Sequence, residues 1–147
     1  MLLLLFETSE GRFALEARNI VEIIPLLQPK KIPGAPGYVA GIINYRGMPV
    51  PVLDLCALGG GSPCQQYYST RIILVRYPLS EDDARLIGLI AERVTDVIAC
   101  DESDIRSSGI LLEKTAEEDI ADAGQEEIVQ MFSVARMIPA DVVRELF

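Results

Sequence analysis

The sequence contains no histidine and no tryptophan, only three cysteines, and aromatic side chains at 6% of its 147 residues. Without histidine there is no Ser-His or Cys-His nucleophile pair and no His-ligated metal. The side chain best suited to proton transfer near neutral pH is also missing. Basic residues are the scarcer charge, 13 Lys and Arg against 22 Asp and Glu, for a formal net charge of −9. Counterion release on nucleic acid and attraction to anionic lipid both need clustered cations, so neither is an expected partner. No apolar run approaches the ~20 residues of a membrane helix, and direct membrane insertion is not expected. Cys56, Cys64 and Cys100 are an odd number and their spacing matches neither CxxC nor a zinc site. They read as reduced thiols of a cytoplasmic protein.

What the sequence does have is a large apolar fraction, 50%, distributed in short runs rich in β-branched residues. Such runs predict strands at Leu2–Glu7, Arg12–Glu16, Ile20–Ile24, Met48–Leu55, Arg71–Tyr77, Arg85–Ala91, Val94–Ala99 and Val129–Met137. Turn signals separate them, including Ser9-Glu10-Gly11, Pro33-Gly34-Ala35-Pro36-Gly37 and Gly59-Gly60-Gly61-Ser62-Pro63. The opening Met1–Phe6 run lacks a basic start and is broken by Glu7, which favours a strand over a leader. Helix is expected only briefly around Leu15–Ile20 and at Pro139–Leu146. Many short strands with frequent turns indicate an all-β barrel or sandwich. Phe13 and Leu15 should share one face of their strand. Pro49 and Pro51 require an edge, bulge or corner, and Gly88 a bend.

Charge is unevenly placed. Residues 101–127 hold ten of the 22 acids and two of the 13 bases, so the remaining body is nearly neutral. This segment reads as a solvated loop or short helix that keeps the protein soluble, with an acidic docking surface as the sharper alternative. Asp101, Glu102 and Asp104 do not make a calcium loop, because Gly and the closing Glu fall at the wrong positions. The Gly59–Gly61 run lacks the Lys-Ser/Thr of a phosphate loop, and Ser107-Ser108-Gly109 lacks the flanks of a nucleophile elbow. Asp54 and Asp96 stand near strand ends, where Asp caps or closes turns. No catalytic constellation emerges.

The densest pattern runs from Ile32-Pro33-Gly34-Ala35-Pro36-Gly37-Tyr38 through Gly41-Ile42-Ile43-Asn44-Tyr45-Arg46-Gly47 to Pro49-Val50-Pro51-Val52-Leu53-Asp54-Leu55. An extended lead-in gives way to an apolar stretch that reaches a polar tip at Asn44 and Arg46. Gly47 permits a turn with positive φ that returns the chain. A cation at such a tip is either satisfied by a nearby carboxylate or presented to a partner.

This run resembles the hallmark of the CheW-like domain family, whose members include bacterial chemosensory adaptors. Phe6 with Phe13-Ala14-Leu15 is similar to the family's first hairpin, and Val21-Glu22-Ile23 to a further element. Arg71–Val75 is similar to its central strand, and Gly88 through Val97 to its last strand pair. Tyr45 stands where the family usually has Leu, Glu92-Arg93 replaces a common Asp-x dipeptide, and 101–127 has no obvious counterpart.

The resemblance implies a single domain over 1–147 built of two small five-stranded SH3-like β-barrel subdomains packed side by side, with a short C-terminal helix. Residues ~12–75 would form the first subdomain, and 1–11 with 77–147 the second. It also implies a non-catalytic adaptor without cofactors. Its partners would be the regulatory domain of a CheA-type sensor histidine kinase and the cytoplasmic tip of a methyl-accepting chemoreceptor. By matching position, Arg46 and Glu22 are the expected partner contacts, with Ile20 and Ile24 on the face of Glu22. Asn44 would hold the turn, and Val94 and Val97 are weaker candidates for a groove. A ligand-sensing β-barrel, with a small molecule in the inter-barrel groove and the acidic segment as lid, is the alternative.

Overall fold

The computed structural model describes residues 1–106, 109–114 and 126–147. Strand dominates. In chain order, β1 is Leu2–Thr8, β2 Gly11–Glu16, β3 Ile20–Pro25, β4 Val39–Tyr45 and β5 Met48–Asp54. A short helix α1, Leu55–Leu58, leads to β6, Arg71–Pro78, and to the long β7, Ala84–Ala99. Strands β8, Ile110–Lys114, and β9, Glu126–Met131, precede helices α2, Val134–Met137, and α3, Ala140–Glu145. The all-β expectation holds, and a short C-terminal helix is present in α3, with Pro139 as its N-cap.

The strands pair as two groups of five that share β7. Its first half lies between β6 (antiparallel) and β5 (parallel), and β3 and β4 complete that group. Its second half pairs with β1, followed by β2, β9 and β8. Sequence patterning split this element into two strands. In the structure it is continuous through Arg93, whose φ of 48° marks a local irregularity where the β1–β7 register shifts between Leu5 and Glu7. Neither group closes into a barrel by a continuous ladder among the described residues, although an isolated bridge between Lys30 and Ile42 joins the chain beyond β3 to β4.

Each group has its own apolar core, and a third core lies between them. Ile43, Val50, Val52, Ile72, Leu74 and Ile90 pack together in the first group, and Leu3, Leu5, Ala14 and Val129 in the second. The largest cluster takes Leu4, Phe6, Phe13 and Leu15 from one side and Ile73, Val75, Ile87 and Leu89 from the other. In it Phe132 meets Phe6 and Phe13 edge-on, at centroid distances of 5.7 and 5.9 Å. Strand β1 is therefore buried on both faces, which is why its sequence is a continuous apolar run. Phe13 and Leu15 do share a face, but Ala14 opposite them is buried too.

The prolines of β5 sit where they were expected. The β7 ladder begins at Val52, so Met48–Pro51 has a partner strand on the β4 side only. Gly88 has a different role from the bend foreseen: a Cβ there would lie 2.9 Å from Ile72 Cγ2 and 3.2 Å from Val52 Cγ2. Side chains of both neighbouring strands close over it. The described part of the acidic segment is mixed: Glu102–Asp104 is a short 3-10 turn of helix, as expected, whereas Ile110–Lys114 is strand β8, paired with β9. Residues 107–108 and 115–125 of that segment lie outside the described residues.

Candidate functional site

The β4–β5 hairpin turns at Arg46 and Gly47, with φ of 50° and 84°. Positive φ at both central residues of a two-residue loop is the geometry that matches strand twist, and glycine adopts it at little cost. Asn44 fixes the turn, its Oδ1 accepting from the Gly47 N–H at 2.8 Å.

Glu22 of β3 reaches the same tip. Its Oε2 accepts from the Tyr45 hydroxyl and, at 3.4 Å, from the Arg46 guanidinium, which also lies 5.2 Å from the centre of the Tyr45 ring. The hydrogen bond to the Glu22 carboxylate, more than anything else, raises the Tyr45 phenol above its ordinary pKa. Tyr45, the residue that departs from the family pattern, is thus what ties the carboxylate to the tip. The Arg46 side chain stays 76% exposed, so its pairing with Glu22 contributes only ~0–1 kcal/mol and leaves most donors available.

Beside the tip lies an open cleft of about 780 Å³, lined by Arg46, Arg76 and Arg85 over Val21, Met48 and Phe147. Arg85 pairs with Asp83 at 3.1 Å and sits against the Phe147 ring. A hollow of about 380 Å³ adjoins it, sharing Val21 and Arg76 and adding Arg18, Asn19 and Ile20. In a chain of net charge −9, this is a local concentration of arginine on apolar ground. Sequence reading missed Arg76, Arg85, Met48 and Phe147. Only the topology brings the start of β7 and the C-terminus to the β4–β5 turn.

The six residues singled out in the sequence are thereby sorted. Glu22, Asn44 and Arg46 meet at the tip. Ile20 lines the adjoining hollow but does not share a face with Glu22. It stands opposite Val75 while Glu22 stands opposite Leu74, because a register shift intervenes. Val94 is 1% exposed and belongs to the central core, so its side chain offers a partner no surface. Val97 is 55% exposed, on the half of β7 that pairs with β1, away from the tip.

The other end of β5 is chemically different. Asp54, 6% exposed, caps α1 by accepting from the Ala57 N–H at 3.0 Å. It also accepts from the Cys64 N–H, so the strand-end carboxylate acts as the cap foreseen for it. Asp54 and Cys64 border a pocket of about 400 Å³ reached by Leu26, Lys31, Pro36 and Ile90. No helix among the described residues is long and apolar enough to cross a membrane.

Comparison with known proteins places this architecture. Chemotaxis protein CheW of Bacillus subtilis is 29% identical over 106 residues, 72% of this chain and 65% of that protein. Its counterpart in Helicobacter pylori is 28% identical over 100 residues, 68% of this chain and 58% of that protein. The matches thus span under two thirds of these relatives' own length. The crystal structure of the scaffolding protein TtCheW from Thermoanaerobacter tengcongensis superposes with a TM-score of 0.71 at 24% identity, covering 94% of this chain and 87% of that one. That likeness extends the fold, two SH3-like strand groups side by side, over nearly all the residues. The CheW-like domain model matches residues 2–142, and the chain belongs to that family.

Proposed function

We propose that the protein is a non-catalytic adaptor of a bacterial chemosensory pathway, a single CheW-like domain coupling chemoreceptors to a sensor histidine kinase. The cytoplasmic site of action follows from those partners, the kinase regulatory domain and the receptor's cytoplasmic tip. Family membership and the names of the relatives support the scaffold role. The observation that carries the site is Arg46, held outward on a locally fixed turn at the rim of an arginine-lined, apolar-floored cleft. Such a surface suits a partner element that offers carboxylates beside apolar side chains. In this reading Arg46 makes the contact, Glu22 and Tyr45 hold it in place, and Val97 and Ile20 are peripheral.

Titration of the kinase regulatory domain and of a receptor-tip fragment against Arg46→Glu tests this. Affinity for one partner should fall more than tenfold, about 1.4 kcal/mol, with circular dichroism unchanged. Equal affinity in a folded variant removes Arg46 from the interface.

A ligand-sensing domain is the second reading, favoured by the pocket of about 400 Å³ beside Asp54 and Cys64. A thermal-shift screen against metabolites, run with a metal chelator present, separates the two. An adaptor shows no stabilisation, whereas a sensor gains RT ln(1 + [L]/Kd).

A further inference from the structure

Cys56, Cys64 and Asp54 were unremarkable in the sequence, because no zinc motif has their spacing. The fold brings them together from three elements: the end of β5, the second residue of α1, and the loop before β6. Their two Sγ atoms and one carboxylate oxygen lie within 4.8 Å of one another. Cys56 is buried and Cys64 half-buried. A fourth donor is at hand from β7, since the Cys56 thiol donates to Glu92 Oε1 at 3.7 Å.

We propose that Cys56, Cys64 and Asp54, completed by Glu92, form a binding site for a thiophilic divalent cation of tetrahedral preference, with zinc as the chemical fit. Two thiolates at ~2.3 Å from one zinc stand a little under 4 Å apart, and carboxylate oxygens bind at ~2.0–2.2 Å, so the Asp54, Cys56 and Cys64 donors need only small adjustments, while the Glu92 side chain would turn inward from its contact with Cys56.

Three further features support the site. Asp54 is oriented before any ion arrives. Its Oδ1 accepts from the Ala57 and Cys64 N–H groups at 3.0 and 3.3 Å, and its Oδ2 from the Cys64 N–H at 3.0 Å. A carboxylate with about four lone-pair positions keeps capacity for a metal, and such outer hydrogen bonds fix a ligand's direction. The loop carrying Cys64 is anchored against Cys56 by the Gly61 N–H, which donates to the Cys56 carbonyl at 3.1 Å, and that carbonyl is held from the β1–β2 turn as well, by the Ser9 hydroxyl at 2.9 Å. Finally, Asp54 and Cys64 also line the open pocket, which gives an ion a path inward.

Without metal, burial above all holds both thiols in the protonated form, and the neighbouring carboxylates add to it. Binding of one dication releases the two thiol protons to solvent and forms two metal–sulfur and two metal–oxygen bonds, with no change of oxidation state.

The test uses the full chain, reduced and stripped of metal, titrated with cobalt(II) as a spectroscopic substitute for zinc. One equivalent should bind, giving a thiolate-to-cobalt charge-transfer band and tetrahedral d–d intensity, and zinc should displace it. Cys64→Ser should weaken zinc binding at least tenfold and reduce the band, while Cys100→Ser should leave both unchanged. Zinc should raise the melting temperature of the unaltered chain but not that of Cys64→Ser. Should Cys56→Ser prove unfolded, Cys64→Ser and Glu92→Gln carry the test, both being half-buried. The proposal is overturned if the charge-transfer band does not form. It is equally overturned if the band survives undiminished in Cys64→Ser, or if cobalt binds without it, which places the ion on carboxylates elsewhere, such as Asp101, Glu102 and Asp104.

Discussion

The β4–β5 hairpin has two ends governed by different physics. At the tip, the turn is specified by its own residues, Asn44 closing on the Gly47 N–H and two consecutive positive φ values. A Cβ on Gly47 would meet nothing within 4 Å. The Glu22 and Arg46 side chains around it are solvent-exposed or nearly so, and their pairing is weak. At the base, distant segments converge. Lys30 and Ile42 exchange two backbone hydrogen bonds of 2.9 and 2.8 Å, the Asp54 N–H donates to Tyr38 O at 2.8 Å, and the buried Asp54 carboxylate holds both α1 and the Cys64 loop. The base is over-determined and should carry stability. The tip is locally set and surrounded by water, so its chemistry is available for a partner at little cost to the fold.

The sharpest way to break this contrast is Gly41→Ala at the base. A Cβ there would lie 2.2 Å from Lys30 O, on a backbone with φ of 143°. We expect a loss of at least ~3 kcal/mol in urea unfolding, from backbone strain and the lost bridge together. A loss under ~1 kcal/mol would mean that the Lys30 segment yields easily and the base is not over-determined. Next is Asp54→Ala, measured with a chelator so that metal plays no part. Losing the helix cap and leaving the Cys64 N–H without its acceptor should cost about 2 kcal/mol, and Asp54→Asn, which keeps one acceptor oxygen, about half of that. At the tip, Gly47→Ala has room for its methyl group but the wrong backbone preference, and should cost about 1 kcal/mol. If Gly47→Ala proves as damaging as Gly41→Ala, the two ends do not differ as described.

Which features were legible in the sequence follows the same division. The tip was readable because Asn44, Arg46 and Gly47 are neighbours whose turn chemistry acts over four residues. Asp54 as a cap was readable for the same reason, and the apolar runs of β1, β2, β3, β5 and β6 gave those strands. What failed depends on distant register. An extra residue between Ile20 and Glu22 moves Ile20 to the opposite face, and no period-2 pattern reports that. Glu92-Arg93 read as a gap between two strands, although β7 continues through it. Strand β8 was hidden because its short apolar run sits among acids and is defined by pairing with β9. The thiols seemed unrelated because Cys56 and Cys64 meet only after α1 and the glycine loop reverse the chain.

The smallest effect discriminates best between the tip as structure and the tip as binding surface. In Glu22→Gln the hydrogen-bonding shape is nearly kept while the charge is removed. Because the Glu22 carboxylate is the main cause of the raised Tyr45 phenol, that phenol should titrate closer to its usual value of about 10 in the variant, as read by near-UV difference absorbance. The sign for stability follows. A group raised on folding contributes below its unfolded pKa and loses that contribution as pH rises through the folded value. The difference between the variant and the unaltered chain should therefore be fully present at neutral pH, though small for so exposed a pair, and should narrow in strongly alkaline solution. Partner affinity decides the role. If Arg46 acts only within the chain, Glu22→Gln and Arg46→Gln should both leave binding unchanged. If Arg46 is the contact and Glu22 its positioner, Arg46→Gln should lose several-fold in affinity, and Glu22→Gln should lose less, because Tyr45 still stacks beneath the guanidinium.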